Sequence, residues 1–291
     1  ARGRVLGVLA LASLDGGRVY DEDDLPFVED LAGRAAVAID NARSHTERGE
    51  VARTLQRSLL PASLPRIPGV ELAQGYHPMG AAEVGGDFLE VFPLGDGRWG
   101  VSMGDVCGKG VGAASLTALA RYTVRAAATV ERRPEPVLRL LNRTILDTDV
   151  GERFCTIAHA VVTPGPASVR VTLACGGHPL PFLVSADGSV CPVGRPGTVI
   201  GLFEDIDVDE VDLVLAPGDA LVLYTDGLTE VRNPQGEFAP DLLEDALRES
   251  AGGTAQSMVD VVERRVRAYE DGFPRDDTAL LVVKATGAPP A

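Results

Sequence analysis

Several features that mark other classes of protein are scarce or missing in this chain of 291 residues. Its 4 cysteines show no CxxC spacing and no grouping with histidine, so neither a zinc site nor a disulfide framework is indicated, and buried reduced thiols are expected. No apolar run reaches the length of about 18 residues that a membrane span needs. The net charge of −15, with no compensating Lys/Arg cluster, argues against a nucleic-acid-binding surface. With no secretory leader at Ala1, the expected location is cytoplasmic.

What the chain does contain suits one large domain or two unequal ones, since 45% of its residues are hydrophobic. Residues 4–14 are predicted to form a buried strand, and apolar residues from Phe27 to Ala42 recur at helical spacing. One strand and one helix cannot bury a core, so residues 1–45 are interpreted as the C-terminal fragment of a larger domain. Residues 46–68 are interpreted as a linker, because a polar helix runs up to Leu60 and is followed by Pro61, Pro65 and Pro68.

The remaining residues, 69–286, are predicted to form one domain rich in strands. Strands are expected at 70–76, 88–92, 99–103, 155–162, 168–175, 180–184, 219–224 and 279–284, and helices at about 112–130, 135–148, 239–250 and 255–270. The first of these helices is almost wholly apolar, which predicts burial between layers. Helices grouped between runs of antiparallel-type strands indicate an α+β fold, a sandwich of two mainly antiparallel sheets flanked by helices.

Four short acidic motifs carry the functional signal. They are Gly85-Gly86-Asp87-Phe88, Gly104-Asp105-Val106-Cys107-Gly108-Lys109-Gly110, Tyr224-Thr225-Asp226-Gly227 and Arg275-Asp276-Asp277-Thr278. Each places an aspartate at the edge of an apolar, strand-like run, where a carboxylate can project into a shared pocket. Converging carboxylates repel one another unless cations compensate them, and an all-oxygen site favours Mg²⁺ or Mn²⁺. The motifs together therefore predict a two-metal hydrolase that acts on phosphate esters.

The motifs and their order resemble the metal-dependent protein phosphatase family (PPM, type 2C), in its bacterial SpoIIE/RsbU-like branch. Supporting runs that match the branch are 55–61 (LQRSLLP), 154–156 (FCT), 176–179 (GGHP) and 216–219 (APGD), so the likeness covers roughly residues 50–285. It implies an α-β-β-α layered fold and a protein serine/threonine phosphatase. In this family a water held between two metal ions attacks phosphorus in line, and no covalent enzyme intermediate forms.

The resemblance also implies roles for single residues. Asp105 would bridge two Mn²⁺ or Mg²⁺ ions, with the Val106 carbonyl as a further ligand of one of them. Asp87 would act on one ion mainly through water, while Asp226 and Asp276 would ligate the other. Further candidate site residues are Glu90, Asp277 and Lys109. Lys109 is either a contact of the phosphate group or a solvated cation of the loop.

Three departures from the family pattern bear on these roles. Glu90 stands where the branch often has an aspartate. The final motif often has threonine two positions after the second aspartate, but here Thr278 follows Asp277 directly. The place near Cys107, where eukaryotic relatives carry a histidine that can act as general acid, holds none, so the leaving-group proton is expected to come from water. Lys109 follows Gly108, yet the spacing does not fit a P-loop.

The segment before the linker resembles the last strand and helix of a GAF sensory domain, in the runs 7–11 (GVLAL) and 27–42 (FVEDLAGRAAVAIDNA). Under this interpretation the helices within 22–60 connect sensor to phosphatase and could form a homodimer. By family analogy the substrate is a phosphoprotein, a phosphorylated anti-anti-sigma factor in a partner-switching pathway. The alternative is a catalytically silent or sensor-gated binding module of the same fold. A nuclease or small-molecule phosphatase is not favoured, because the sequence shows neither the basic substrate channel nor the distinct pocket signature that such an enzyme would need.

Overall fold

The computed structural model describes residues 4–12, 21–59, 63–77, 86–148, 151, 153–271 and 277–287. Its helices are α1 (Leu25–Leu59), α2 (Val111–Val130), α3 (Pro134–Leu146), α4 (Leu242–Ser250) and α5 (Ala255–Glu270). Its strands are β1 (Val70–His77), β2 (Phe88–Gly95), β3 (Arg98–Val106), β4 (Cys155–Pro164), β5 (Val169–Gly176), β6 (Phe182–Val184), β7 (Val190–Pro192), β8 (Glu210–Leu215), β9 (Ala220–Tyr224) and β10 (Thr278–Ala285).

The strands form two antiparallel sheets of five strands each. The first sheet has the order β1-β10-β9-β6-β7 and the second the order β2-β3-β4-β5-β8. Their inner faces pack against each other, with Val101 and Met103 of one sheet in the same buried cluster as Leu281 and Val283 of the other. Since successive strand residues point to opposite faces, each strand has a second face to cover.

Helices cover both outer faces. α2 and α3 pack on the second sheet, where Phe88 and Phe92 contact a cluster that includes Leu116 and Leu141. α4 and α5 cover the first sheet in a separate cluster around Val222 and Val262. Strands covered on both faces become almost wholly apolar, as in β10, whose eight residues are all buried. The predicted α-β-β-α sandwich is therefore confirmed.

Two strands were not predicted. β8 is an edge strand whose residues are largely half-exposed, and β7 has three residues at the other sheet's edge. Short edge strands bury too little apolar surface to show a strong pattern. Among the cysteines, the prediction of burial holds for Cys155 and Cys175, whereas Cys107 in a loop and Cys191 in β7 are exposed; all four are free thiols.

The N-terminal segment differs from its prediction. Residues 4–12 form no strand and are largely exposed, because no other described strand lies beside them to pair with. α1 is one continuous helix that runs through both the predicted sensor fragment and the predicted linker helix. It exposes Phe27 and Val37. Within the described residues, no helix combines the length and apolarity needed to cross a membrane.

Candidate active site

Four strand ends bring aspartates to one end of the sandwich. In the second sheet, Asp87 directly precedes β2 and Asp105 is the next-to-last residue of β3, its hairpin partner. In the first sheet, Asp226 comes two residues after β9 and Asp277 directly precedes β10, which pairs with β9. Antiparallel pairing puts the end of one strand beside the start of the next, so each sheet contributes two neighbouring carboxylates.

These four aspartates line one cavity of about 140 Å³. Its other lining residues are Gly86, Val106, Gly108 and Lys109. Asp87 and Asp277 are buried at 5% and 8% exposure, Asp105 is half-buried and Asp226 is exposed. The carboxylates thus extend from the interior of the seam between the sheets out to solvent.

The cavity concentrates negative charge. The pKa of Asp87 is raised well above its usual value, first by burial and then by the charge of Asp105, with smaller contributions from Asp277 and Asp226. A hydrogen bond from Thr225 acts in the opposite direction and favours the ionised form. Such mutual repulsion is relieved when cations enter the site, as the sequence motifs predict.

Thr225 joins the two sheets at the cavity. Its buried hydroxyl donates to Oδ2 of Asp87 at 2.8 Å and accepts the backbone N–H of Ala279 at 2.9 Å. Asp87 belongs to the second sheet and both other residues to the first, so this hydroxyl fixes the Asp87 carboxylate relative to β9 and β10. Sequence reasoning missed this role, although the threonine beside Asp226 in the third motif was a local signal.

Gly86 lets the two strand ends of the second sheet approach closely. A Cβ atom at this position would lie 2.2 Å from the Val106 carbonyl oxygen and 2.3 Å from Oδ1 of Asp105. The backbone here is also tied by a 3.2 Å hydrogen bond from the Val106 N–H to the Gly86 carbonyl. Glycine is therefore required for Asp105 and Val106 to line the same cavity as Asp87.

Not every candidate residue comes to the cavity. Glu90 points away from it, into a buried ion pair with Arg125 at 2.6 Å and Arg121 at 3.6 Å, where it joins β2 to α2. Asp276 lies outside the described residues, and the next residue, Asp277, lines the cavity. Thr278 is buried as the first residue of β10.

His178, in the run 176–179, lies near the site without lining it. Its Nδ1 is 2.9 Å from the hydroxyl of Thr156, the cross-strand neighbour of Asp105. Burial lowers the pKa of His178 from 6.5 to about 4, so the ring is neutral at physiological pH. The hydrogen bond and the neutral ring fit a histidine that supports the fold and takes no part in binding a metal ion.

The donor chemistry of the cavity fits hard divalent cations, since carboxylate oxygens and the Val106 carbonyl line it. Among the residues that the structure describes, no three Asp, Glu, His or Cys side chains form a group that could hold a metal ion by themselves. These residues therefore match Mg²⁺ or Mn²⁺ in donor type and charge without completing a ligand set.

Comparison with known proteins assigns this architecture to a family. Residues 95–286 match the family described as Stage II sporulation protein E (SpoIIE), which is about two thirds of the chain. The chain belongs to the SpoIIE family. This is a PP2C-type family of protein serine/threonine phosphatases, so the predicted resemblance to the PPM family and the predicted enzyme class are confirmed, whereas the GAF-like resemblance of the N-terminal segment stays a prediction.

Similarity to individual SpoIIE-type proteins extends over most of the chain. Phosphoserine phosphatase RsbU of Bacillus subtilis is 27% identical over 81% of this chain and 69% of that protein. A solved structure of the RsbU and RsbW domains of a Mycobacterium tuberculosis protein is 27% identical, with a TM-score of 0.65. It covers 78% of this chain, which spans only 62% of the mycobacterial one. RsbX in complex with magnesium shares the fold at 14% identity and a TM-score of 0.58.

Proposed function

We propose that this SpoIIE-type domain hydrolyses phosphoserine or phosphothreonine in a protein substrate, using a water activated by two bound Mn²⁺ or Mg²⁺ ions. The observation that carries the proposal is the convergence of Asp87, Asp105, Asp226 and Asp277 on one shared cavity between the two sheets. The raised pKa of Asp87 is consistent with it, because burial and, after it, the charge of Asp105 disfavour the ionised carboxylate, and bound cations would offset both effects. The magnesium complex of RsbX, a protein of the same fold, is consistent with it.

Each residue has a defined task in this proposal. Asp105 would be a ligand common to both ions, the Val106 carbonyl and Asp87 would serve one of them, and Asp226 and Asp276 would serve the other. Asp277 adds negative charge to the described cavity beside Asp276. Bound divalent ions lower the pKa of a water molecule and offset charge on the phosphoryl oxygens.

The surrounding protein keeps these groups in place before substrate arrives. The hydroxyl of Thr225 holds the Asp87 carboxylate, and Gly86 allows Asp105 to approach it. Preorganised charges that need no rearrangement during the reaction are the main source of stabilisation in such sites. Leaving-group protonation falls to water, because none of the described residues that line the cavity is a histidine.

The test is hydrolysis of p-nitrophenyl phosphate and of a phosphoserine peptide with Mn²⁺, Mg²⁺ or EDTA. We expect metal-dependent turnover that EDTA abolishes and that Asp105→Asn lowers by at least about 100-fold, the size of effect seen when one preorganised stabilising group is removed. The matched control is Asp96→Asn, which removes the same charge from an exposed turn whose positive φ of 52° asparagine tolerates.

The outcomes separate the two functional hypotheses. Full activity in Asp105→Asn would refute the proposed mechanism. If the wild type shows no turnover with any metal while Mn²⁺ raises its unfolding temperature and fails to do so in Asp105→Asn, the chain is a silent or sensor-gated module instead.

For the substrate, we propose a phosphorylated anti-anti-sigma factor in a partner-switching pathway. RsbU is named a phosphoserine phosphatase, and the mycobacterial relative carries RsbU and RsbW domains in one chain. We expect a higher kcat/KM for the folded phosphoprotein than for a peptide with the same phosphoserine. Equal values for the two substrates would contradict recognition of a folded partner.

For the N-terminal part, we propose that residues 1–45 end a GAF-like sensor domain, that 46–68 link it to the phosphatase, and that the 22–60 helices form a homodimer. The exposed apolar side chains of Phe27, Leu31 and Val37 on α1 support an interface there. Light scattering should give the mass of a dimer for the wild type and of a monomer for a Phe27→Glu, Val37→Glu variant. A monomeric wild type would refute the dimer.

A further inference from the structure

The guanidinium of Arg153 lies against the first turn of α2. A Cβ atom at Gly112, the second residue of this helix, would be 2.7 Å from Cζ and Nη2 of Arg153 and 3.0 Å from Nη1. The guanidinium therefore occupies space that is open only because residue 112 has no side chain. Glycine is otherwise unfavourable inside a helix by about 1 kcal/mol relative to alanine.

Arg153 is placed beside the loop that joins β3 to α2, because it lies just before β4, which pairs with β3. Val106 pairs with Cys155, and the Cys107 N–H donates to the Phe154 carbonyl at 2.9 Å. Arg153 directly precedes Phe154, while Gly108 directly follows Cys107 and lines the cavity. Because the guanidinium of Arg153 lies against Gly112, this arginine borders the loop that carries Gly108 and Lys109.

The substrate creates an electrostatic requirement at the cavity. A phosphomonoester is a dianion near neutral pH, and it must approach a cavity lined by four aspartates. Among the described residues that line the cavity, Lys109 is the single cationic side chain. An arginine presents planar N–H donors that match two phosphate oxygens at once, whereas lysine acts as a point charge.

We infer that Arg153 is a substrate-binding residue whose guanidinium, together with Lys109, receives the dianionic phosphoryl group at the rim of the carboxylate cavity. The inference rests on the proposed phosphatase function and adds a residue to it. Inorganic phosphate, the product, carries the same charge and oxygens, so the same pair binds it. Gly112 contributes by leaving the space that the guanidinium fills.

The first test compares Arg153→Ala, Arg153→Lys and the control Arg170→Ala. Arg170 is an exposed arginine of β5 that pairs with Thr163, at the end of β4 remote from Cys155. In Arg153→Ala we expect the KM for the phosphoserine peptide and the inhibition constant of phosphate to rise about 10- to 100-fold, the range for a lost charge-assisted contact. In Arg153→Lys both constants should rise less, and in Arg170→Ala both should equal those of the wild type.

The second test moves the guanidinium without changing any charge. In Gly112→Ala the new methyl group displaces the flexible end of Arg153, so KM should rise in the same direction. The unfolding temperature should hold or rise, because alanine favours the helix. In an Arg153→Ala background, Gly112→Ala should have no further effect on KM.

The outcomes are decisive in either direction. Unchanged KM and phosphate inhibition in a folded Arg153→Ala variant would overturn the inference, as would a Gly112→Ala effect that persists without Arg153. Calorimetric titration with inorganic phosphate in Mg²⁺ gives the same comparison without turnover. An inactive wild type that binds phosphate more tightly than Arg153→Ala would therefore refute the phosphatase function alone and leave the anion site standing.

Discussion

The hydroxyl of Thr225 offers the sharpest test of how the two sheets cooperate at the site. Thr225→Val keeps the shape of the side chain and removes only its hydrogen bonds to Asp87 and to the N–H of Ala279. A lost bond to a charged group costs about 1.5–3 kcal/mol, and a buried N–H left without a partner costs about 1–3 kcal/mol. The free energy of unfolding should therefore fall by roughly 3 kcal/mol or more.

Thermal and urea unfolding, with and without Mn²⁺, measure this loss. In a domain of this size, each kcal/mol of lost stability lowers the unfolding temperature by about 2–4 °C, so a loss of about 3 kcal/mol should lower it by roughly 6–12 °C. The metal-dependent kcat should also fall, because the Asp87 carboxylate is no longer held. Thr225→Ser is the matched control: it keeps the hydroxyl, loses one buried methyl group and should cost only about 1 kcal/mol.

Two results would refute this reasoning. A Thr225→Val protein with the stability and activity of the wild type would mean that the hydroxyl does not position Asp87. A serine variant as damaged as the valine variant would assign the effect to packing of the methyl group.

Three further predictions follow from other parts of the fold. Gly86→Ala forces a Cβ atom to within 2.2 Å of a backbone carbonyl, so unfolding assays should show a loss of several kcal/mol. The control Gly33→Ala meets no atom within 4 Å and should cause no loss or a gain of up to about 1 kcal/mol, because Gly33 lies within α1 and alanine favours a helix. Glu90→Gln removes the charge that faces the buried Arg121 and the half-exposed Arg125, and it should destabilise by about 1–2 kcal/mol, because solvent screens the Arg125 side of the pair. The Mn²⁺ dependence of activity should not change; a shifted Mn²⁺ dependence would instead make Glu90 part of the metal site. Burial lowers the pKa of His159 from 6.5 to about 4, so only the unfolded chain gains its proton as pH falls between these values. Stability should drop by about 2 kcal/mol from pH 7.5 to pH 5 through this residue, and His159→Asn should show a correspondingly smaller drop.

The fold could be predicted where the sequence signal is local and strong. The β10 region is an apolar run bounded by polar residues, and α2 is an almost wholly apolar helix, so both were placed to within one or two residues. The half-exposed β8 and the three-residue β7 carry no such pattern. Residues 4–12 have the composition of a strand, but strand formation needs a pairing partner that composition does not supply.

The site could be predicted in its main groups and not in their arrangement. Asp87, Asp105 and Asp226 were identified because glycine-flanked aspartates at strand ends form a recognisable pattern. The separate fate of Glu90 depends on Arg125, 35 residues away on another element, which no local pattern reveals. Thr225 and Arg153 likewise act through contacts between elements that only the folded chain brings together.

The division of the cavity between the sheets also bears on how the protein is made. β1 and β10 are neighbours in one sheet, with Val70 paired to Ala285, although more than two hundred residues separate them in the chain. Asp277 directly precedes β10, so a nascent polypeptide lacks the cavity until β10 has left the ribosome. Contacts this distant in sequence form slowly, because loop closure is entropically costly. A chain that is stalled or truncated before β10 therefore lacks both Asp277 and a strand of the first sheet, and it cannot assemble the carboxylate cavity.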